Sequence, residues 1–130
     1  MPQPAAKQGD RVTGTCSHMI QPPGPSSPVM TPGHMFNGIL TSSLSTDVFI
    51  QGRPAATVGS EAVNTPPHPP IGGTFVNAPL VTNRSTITMG SSTVLINGKQ
   101  AARAGDQART CDEVHVPGQV VASGNVFVGP

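Results

Sequence analysis

A chain of 130 residues with 15 Gly, 15 Pro, four Phe and neither Trp nor Tyr has the length of one domain but few large side chains to fill a core. Charged residues make up 10% and the formal net charge is +1, which argues against a nucleic-acid footprint and against a basic membrane-binding face. No run approaches the roughly 18 apolar residues of a membrane-spanning helix, and residues 1–10 lack the apolar stretch of a secretory signal, so the cytoplasm is the expected place of synthesis and residence.

The chain opens on Pro4-Ala5-Ala6-Lys7-Gln8-Gly9-Asp10, a motif that returns as Pro54-Ala55-Ala56-Thr57-Val58-Gly59-Ser60 and as Gln100-Ala101-Ala102-Arg103-Ala104-Gly105-Asp106. After the first copy comes an excursion, residues 11–37, that carries Cys16, His18 and His34, followed by the short apolar segment Gly38-Ile39-Leu40. Residues 48–50 then predict a strand, with Gln51-Gly52 as a turn leading into the second copy. The second excursion, residues 61–78, carries His68 and is followed by Thr86-Ile87-Thr88. Residues 93–96 predict the next strand, and Asn97-Gly98 a type I′ hairpin turn into the third copy. The third excursion, residues 107–117, carries Cys111 and His115; beyond it lie Gln119-Val120-Val121 and a last strand at residues 125–128.

That last strand has the pattern of the leaders before copies two and three, but no alanine motif follows it, while the first copy has the motif and no leader. The chain ends therefore complete one another, and three equivalent hairpins can surround a pseudo-three-fold axis with no open edge at the seam. Alanines let three strands approach a common axis, and Gly-Asp ends each strand, Gly through its freedom at positive φ and Asp as a cap. No stretch keeps a helical period, so the expected fold is all-β: one domain spanning 1–130, a cone or prism of three β-hairpin repeats with long Pro-rich loops.

Every Cys and His follows a Gly-Asp or Gly-Ser turn. If those turns face one end of the cone, the soft ligands collect there and a tetrahedral zinc site results, closed by protein ligands and hence structural. A narrowing β structure lacks room for apolar side chains at its tip, and a metal tying the loops together replaces the missing core. The competing reading has each histidine exposed on a loop. For Cys16 and Cys111, metal binding or burial is favoured over a disulfide in a reducing compartment.

The motifs Pro54-Ala55-Ala56, Val94-Leu95-Ile96-Asn97-Gly98-Lys99 and Ala101-Ala102-Arg103-Ala104-Gly105-Asp106 make the chain similar to PAAR-repeat proteins over essentially its whole length. The loops at His34-Met35-Phe36-Asn37-Gly38 and Asn64-Thr65-Pro66-Pro67-His68 resemble the phage-type branch. The resemblance implies the tip of the central spike of a type VI secretion or phage-like contractile injection machine, a non-enzymatic part whose base docks as a monomer on a trimeric VgrG-like spike. It implies a vertex zinc, with iron as the alternative, held by His18, His34, His68 and Cys111. Cys16 and His115 are surplus donors able to displace one of these, and Ser60 and Thr57 stand where Asp and Arg are usual.

Such a tip would be assembled in the producing cell's cytoplasm, be driven outward on contraction and touch the target membrane transiently. With the repeats filling residues 4–130, no fused effector domain is expected, so any cargo binds non-covalently. Two other readings stand beside this one. One is a structural cap or adhesin-like β protein of another fibre. The other is a zinc-dependent enzyme, disfavoured because neither Glu61 nor Glu113 lies in an H-E-x-x-H helix.

Overall fold

The computed structural model describes residues 2–129. Strands β4 (Phe49–Ile50) and β5 (Arg53–Pro54) form one hairpin, and β9 (Leu95–Ile96) and β10 (Lys99–Gln100) a second. Their turns carry positive φ at both central residues, 52° and 81° at Gln51-Gly52 and 53° and 79° at Asn97-Gly98, as a type I′ turn requires. The third pair is assembled from the chain ends: β1 (Gln3–Pro4) runs antiparallel to β13 (Phe127–Val128), with Gln3 opposite Val128 and Pro4 opposite Phe127. The expected closure of the seam is present.

The alanine motifs meet around the axis in a ring of backbone hydrogen bonds. Ala6 N–H donates to the Ala102 carbonyl (2.9 Å), Ala102 N–H to Ala56 (3.0 Å) and Ala56 N–H to Ala6 (3.0 Å). All three side chains are buried, and no larger residue would leave the strands this close. The glycine of each motif sits at φ near +90° (Gly9 91°, Gly59 96°, Gly105 89°), where a Cβ is strained. From there each glycine N–H reaches the carbonyl of an equivalent residue: Leu40 (3.1 Å), Ile87 (2.9 Å) and Val120 (2.9 Å).

Beyond the motifs lies a closed ring of six antiparallel strands: β2 (Arg11–Gln21), β3 (Val29–Ser42), β6 (Glu61–Asn64), β8 (Arg84–Ile87), β11 (Gln107–Arg109) and β12 (Gly118–Val121), with β12 returning to pair with β2. A seventh strand, β7 (Thr74–Phe75), adds to the far end of β2 at Ile20 and Gln21. The fold is thus an all-β, pseudo-three-fold cone.

Residues 11–37 correct the sequence reading, for they are no loop excursion. β2 and β3 pair from Arg11–Ile39 to Ile20–Val29 through an irregularity between Cys16 and His18, making the longest hairpin in the molecule. The inward set of β2 is Val12, Cys16, His18 and Ile20, and that of β3 is His34, Phe36, Gly38 and Leu40. The period of two is there, but Cys, His and Gly occupy inward positions that apolar residues hold in an ordinary strand. Excursions 61–78 and 107–117 likewise begin as strands, β6 and β11, before leaving the sheet.

The core is layered in triplets. Ile50, Ile96 and Val128 pack with Ala5, Ala55 and Ala101 at the hairpin end. Ala6, Ala56 and Ala102 then pack with Leu40, Ile87 and Val120, and with Val12, Ala62 and Ala108. Phe36, Cys16 and Cys111 cap this cluster and end the symmetry.

Candidate metal centre

Where the triplets stop, polar side chains take over the interior. Cys16 and His18 come from inward positions of β2, His34 from the cross-strand partner of Cys16 on β3, His68 from the segment after β6, and Cys111 from the segment after β11. All five are buried. One ligand atom from each of Cys16, His18, His68 and Cys111 lies within 4.8 Å of every other. The Cys111 Sγ is 3.6 Å from Cys16 Sγ and 3.6 Å from His18 Nε2. With zinc–sulfur and zinc–nitrogen bonds of about 2.3 and 2.0 Å, two ligands at the corners of one tetrahedron stand roughly 3.5–3.8 Å apart. The donor set fits a four-coordinate metal.

Two orphaned atoms point the same way. His68 Nε2 and His34 Nδ1 are buried without a hydrogen-bond partner, which is costly unless something else satisfies them. The His34 ring lies 5.2 Å from that of His18 and 5.8 Å from that of His68, centre to centre, so it walls the site. Its Nε2 accepts a hydrogen bond from Ile71 N–H at 3.3 Å. Burial, then the neighbouring His18, hold His34 below its ordinary pKa and hence neutral.

Three of the four residues nominated from the sequence, His18, His68 and Cys111, therefore share the four-atom cluster with Cys16, while His34 stands beside it. His115 is exposed at φ 61° and contributes nothing to the cluster. The thiols divide unequally. The hydrogen bond with Cys16 is the main force holding Cys111 down to about 4, aided by His68, Asn83 and His18 against burial. The same contact, with burial, pushes Cys16 up.

A ring of residues to which sequence reasoning gave no supporting role positions these donors. The Glu113 carboxylate lies 2.8 Å from His18 Nδ1 and accepts hydrogen bonds from Asn77 Nδ2 (2.8 Å) and Met19 N–H (3.1 Å). Burial works to raise Glu113, but the bonds from Asn77, His18 and Met19 outweigh it and keep the group below its ordinary pKa. A carboxylate on Nδ1 leaves Nε2 to face the sulfur, the arrangement that aims a metal-binding imidazole. Asp112 accepts from Ser17 N–H (2.6 Å) and Val116 N–H (2.7 Å), tying the Cys111 segment to β2. Asn83 accepts from His68 N–H (2.8 Å) and from Asn64 Nδ2 (3.0 Å), fixing the His68 segment. The one signal in the sequence was the acidic pair Asp112-Glu113 directly after Cys111.

The PAAR motif family model matches residues 22–112, and the chain belongs to that family. No curated protein matches it. Membership gives the chain a spike-tip role in contractile injection systems, within a family that is structural and associates with spike proteins. None of its described helices is long and apolar enough to cross a membrane.

Proposed function

We propose that this protein caps a trimeric VgrG-like or phage-like spike as a single chain and forms its sharpened, metal-pinned point. The observation that carries the proposal is a triplet of exposed apolar side chains at equivalent places on the three hairpins. Phe49, Leu95 and Phe127 are 57%, 62% and 57% exposed, while the residues that follow them, Ile50, Ile96 and Val128, are buried in one cluster. Val48, Val94 and Val126 are exposed just before them. An apolar patch of this kind marks an interaction surface, and its three-fold repetition suits a partner that offers the same site three times.

At the other end the metal is structural zinc, held by Cys111, His18, His68 and Cys16. Cys16 takes the fourth position because its sulfur lies within 4.8 Å of the other three ligand atoms, while His34, its Nε2 held by Ile71 and its Nδ1 unpartnered, walls the site. Bound there, zinc would tie β2 to the segments after β6 and β11 and leave no open coordination position for catalysis. An apex pinned in this way resists local opening as contraction drives it through an envelope. Assembly takes place in the producing cell, delivery is outward, and any cargo rides non-covalently.

Mixing the protein with its trimeric spike tests the docking. The expected complex holds one chain per trimer, and Leu95→Asp weakens it about tenfold or more, the order of effect of losing a buried apolar anchor. Three chains per trimer, or undiminished binding by Leu95→Asp, would remove the capping model.

A further inference from the structure

The vertex holds two cysteines with their sulfurs 3.6 Å apart. The segments bearing them are locked in register: Ser17 N–H donates to Asp112 Oδ1 (2.6 Å) and Glu113 N–H to the Ser17 carbonyl (3.0 Å). A disulfide has its sulfurs about 2.05 Å apart, so side-chain rotation has roughly 1.5 Å to close. Access to the two differs. Cys16 is 0% exposed, whereas Cys111 is 8% exposed and lines a surface cleft of about 290 Å³ with Arg109, Asp112, Glu113 and His115. A small oxidant arriving by the cleft meets Cys111 first, with Cys16 directly behind it, the placement of an attacking and a resolving thiol.

We infer that Cys16 and Cys111 form a peroxide-sensitive dithiol whose oxidation to a disulfide withdraws both sulfur donors from the vertex. The Cys111 thiolate attacks one oxygen of hydrogen peroxide, the O–O bond breaks, and the departing hydroxide takes up a proton to leave as water, giving a sulfenic acid on Cys111. The Cys16 sulfur then attacks that sulfur, its proton goes to the departing hydroxide, and a second water leaves as the S–S bond forms. Two electrons pass from the sulfurs to peroxide. The thiol chemistry requires no metal; only its consequence, loss of the ion, rests on the metal centre proposed above.

The test is a peroxide titration of zinc-loaded protein, following free thiols, intact mass and metal released to a chromogenic chelator. The expected result is loss of both thiols with the mass of two hydrogens, release of the metal in step, and recovery of metal binding after dithiothreitol. In Cys16→Ser the sulfenic acid on Cys111 persists and is trapped by dimedone. Oxygen added to wild-type Cys111 while Cys16 remains alkylatable would overturn the inference. So would survival of both thiols at a dose that oxidises Cys16→Ser. Protein that carries no metal yet forms the disulfide upholds the dithiol and sinks the metal reading; metal-loaded protein that forms none sinks the dithiol alone.

Discussion

At the hairpin end each contact is made three times over: Ala6, Ala56 and Ala102 close one backbone ring, and Ile50, Ile96 and Val128 fill one layer. At the vertex the four donors come from three segments, two from β2, one from the segment after β6 and one from the segment after β11. Repetition can build the wide end because three copies of a small side chain fit around an axis. It does not build the point, where two cysteines and two histidines from unlike segments gather in one cluster. The first end is held by hydrogen bonds between main chains, and the second largely by side chains that tie separate segments together.

The largest expected effect separates the two ends directly. In small domains that depend on structural zinc, the metal contributes on the order of 10 kcal/mol. Here the six-strand ring keeps its own hydrogen bonds, so removal of the ion should act locally. Treatment with a chelator, or His68→Ala or Cys111→Ala, is expected to bring metal content below one per chain and lower the melting temperature. Amides of residues 16–19 and 110–116 should exchange much faster, while those of Ala6, Ala56 and Ala102 stay protected. Unchanged metal content in both variants would dismiss the site, and equal loss of protection at both ends would erase the distinction between them.

A smaller effect attacks the other end. Ala56 is fully buried where three strands meet, and Ala56→Leu forces several heavy atoms into that junction. Overpacking of this kind costs about 1–3 kcal/mol. Global stability in denaturant should fall by that amount, while a metal content of one per chain is retained. A variant as stable as the parent would mean that the axis is less tightly packed than the hydrogen-bond ring implies.

What could be read from the sequence follows the same division. The hairpin end was legible because its information is local and repeated: Asn97-Gly98 names its own turn, Gly9, Gly59 and Gly105 name theirs, and the pairing of β1 with β13 followed from a half-repeat at each terminus. The vertex was legible only in outline. Residues 11–37 looked like a loop because Cys16, His18 and His34 stand at inward strand positions, and a strand whose buried face carries Cys and His loses the apolar alternation that betrays strands. That Cys16 rather than His34 joins the four-atom cluster was legible only as an alternative, Cys16 standing in the sequence as a surplus donor. The two are cross-strand partners, and the position of the Cys111 sulfur distinguishes them.

The smallest effect, that of Ser60→Ala, concerns the repeat that has Thr57 and Ser60 where the other two have a base and an acid. In the first and third copies an acid accepts the backbone N–H of a basic residue three positions earlier and pairs with its side chain: Asp10 with Lys7 (3.1 Å) and Asp106 with Arg103 (2.9 Å). In the second copy both partners are neutral. Ser60 Oγ accepts from Thr57 N–H (2.9 Å) and donates to the Ser43 carbonyl (2.8 Å), so the turn is closed without charge. Acid and base have been replaced together, since a carboxylate buried at position 60 would lack a counter-ion. Asp106→Ala should therefore cost about 1.5–3 kcal/mol, the range for hydrogen bonds to a charged group, and Ser60→Ala about 1 kcal/mol. Ser60→Asp alone should destabilise, and adding Thr57→Arg should recover most of the loss in a double-mutant cycle read by denaturant unfolding. If Ser60→Asp proves harmless on its own, the second turn tolerates a lone charge and the paired replacement has no electrostatic origin.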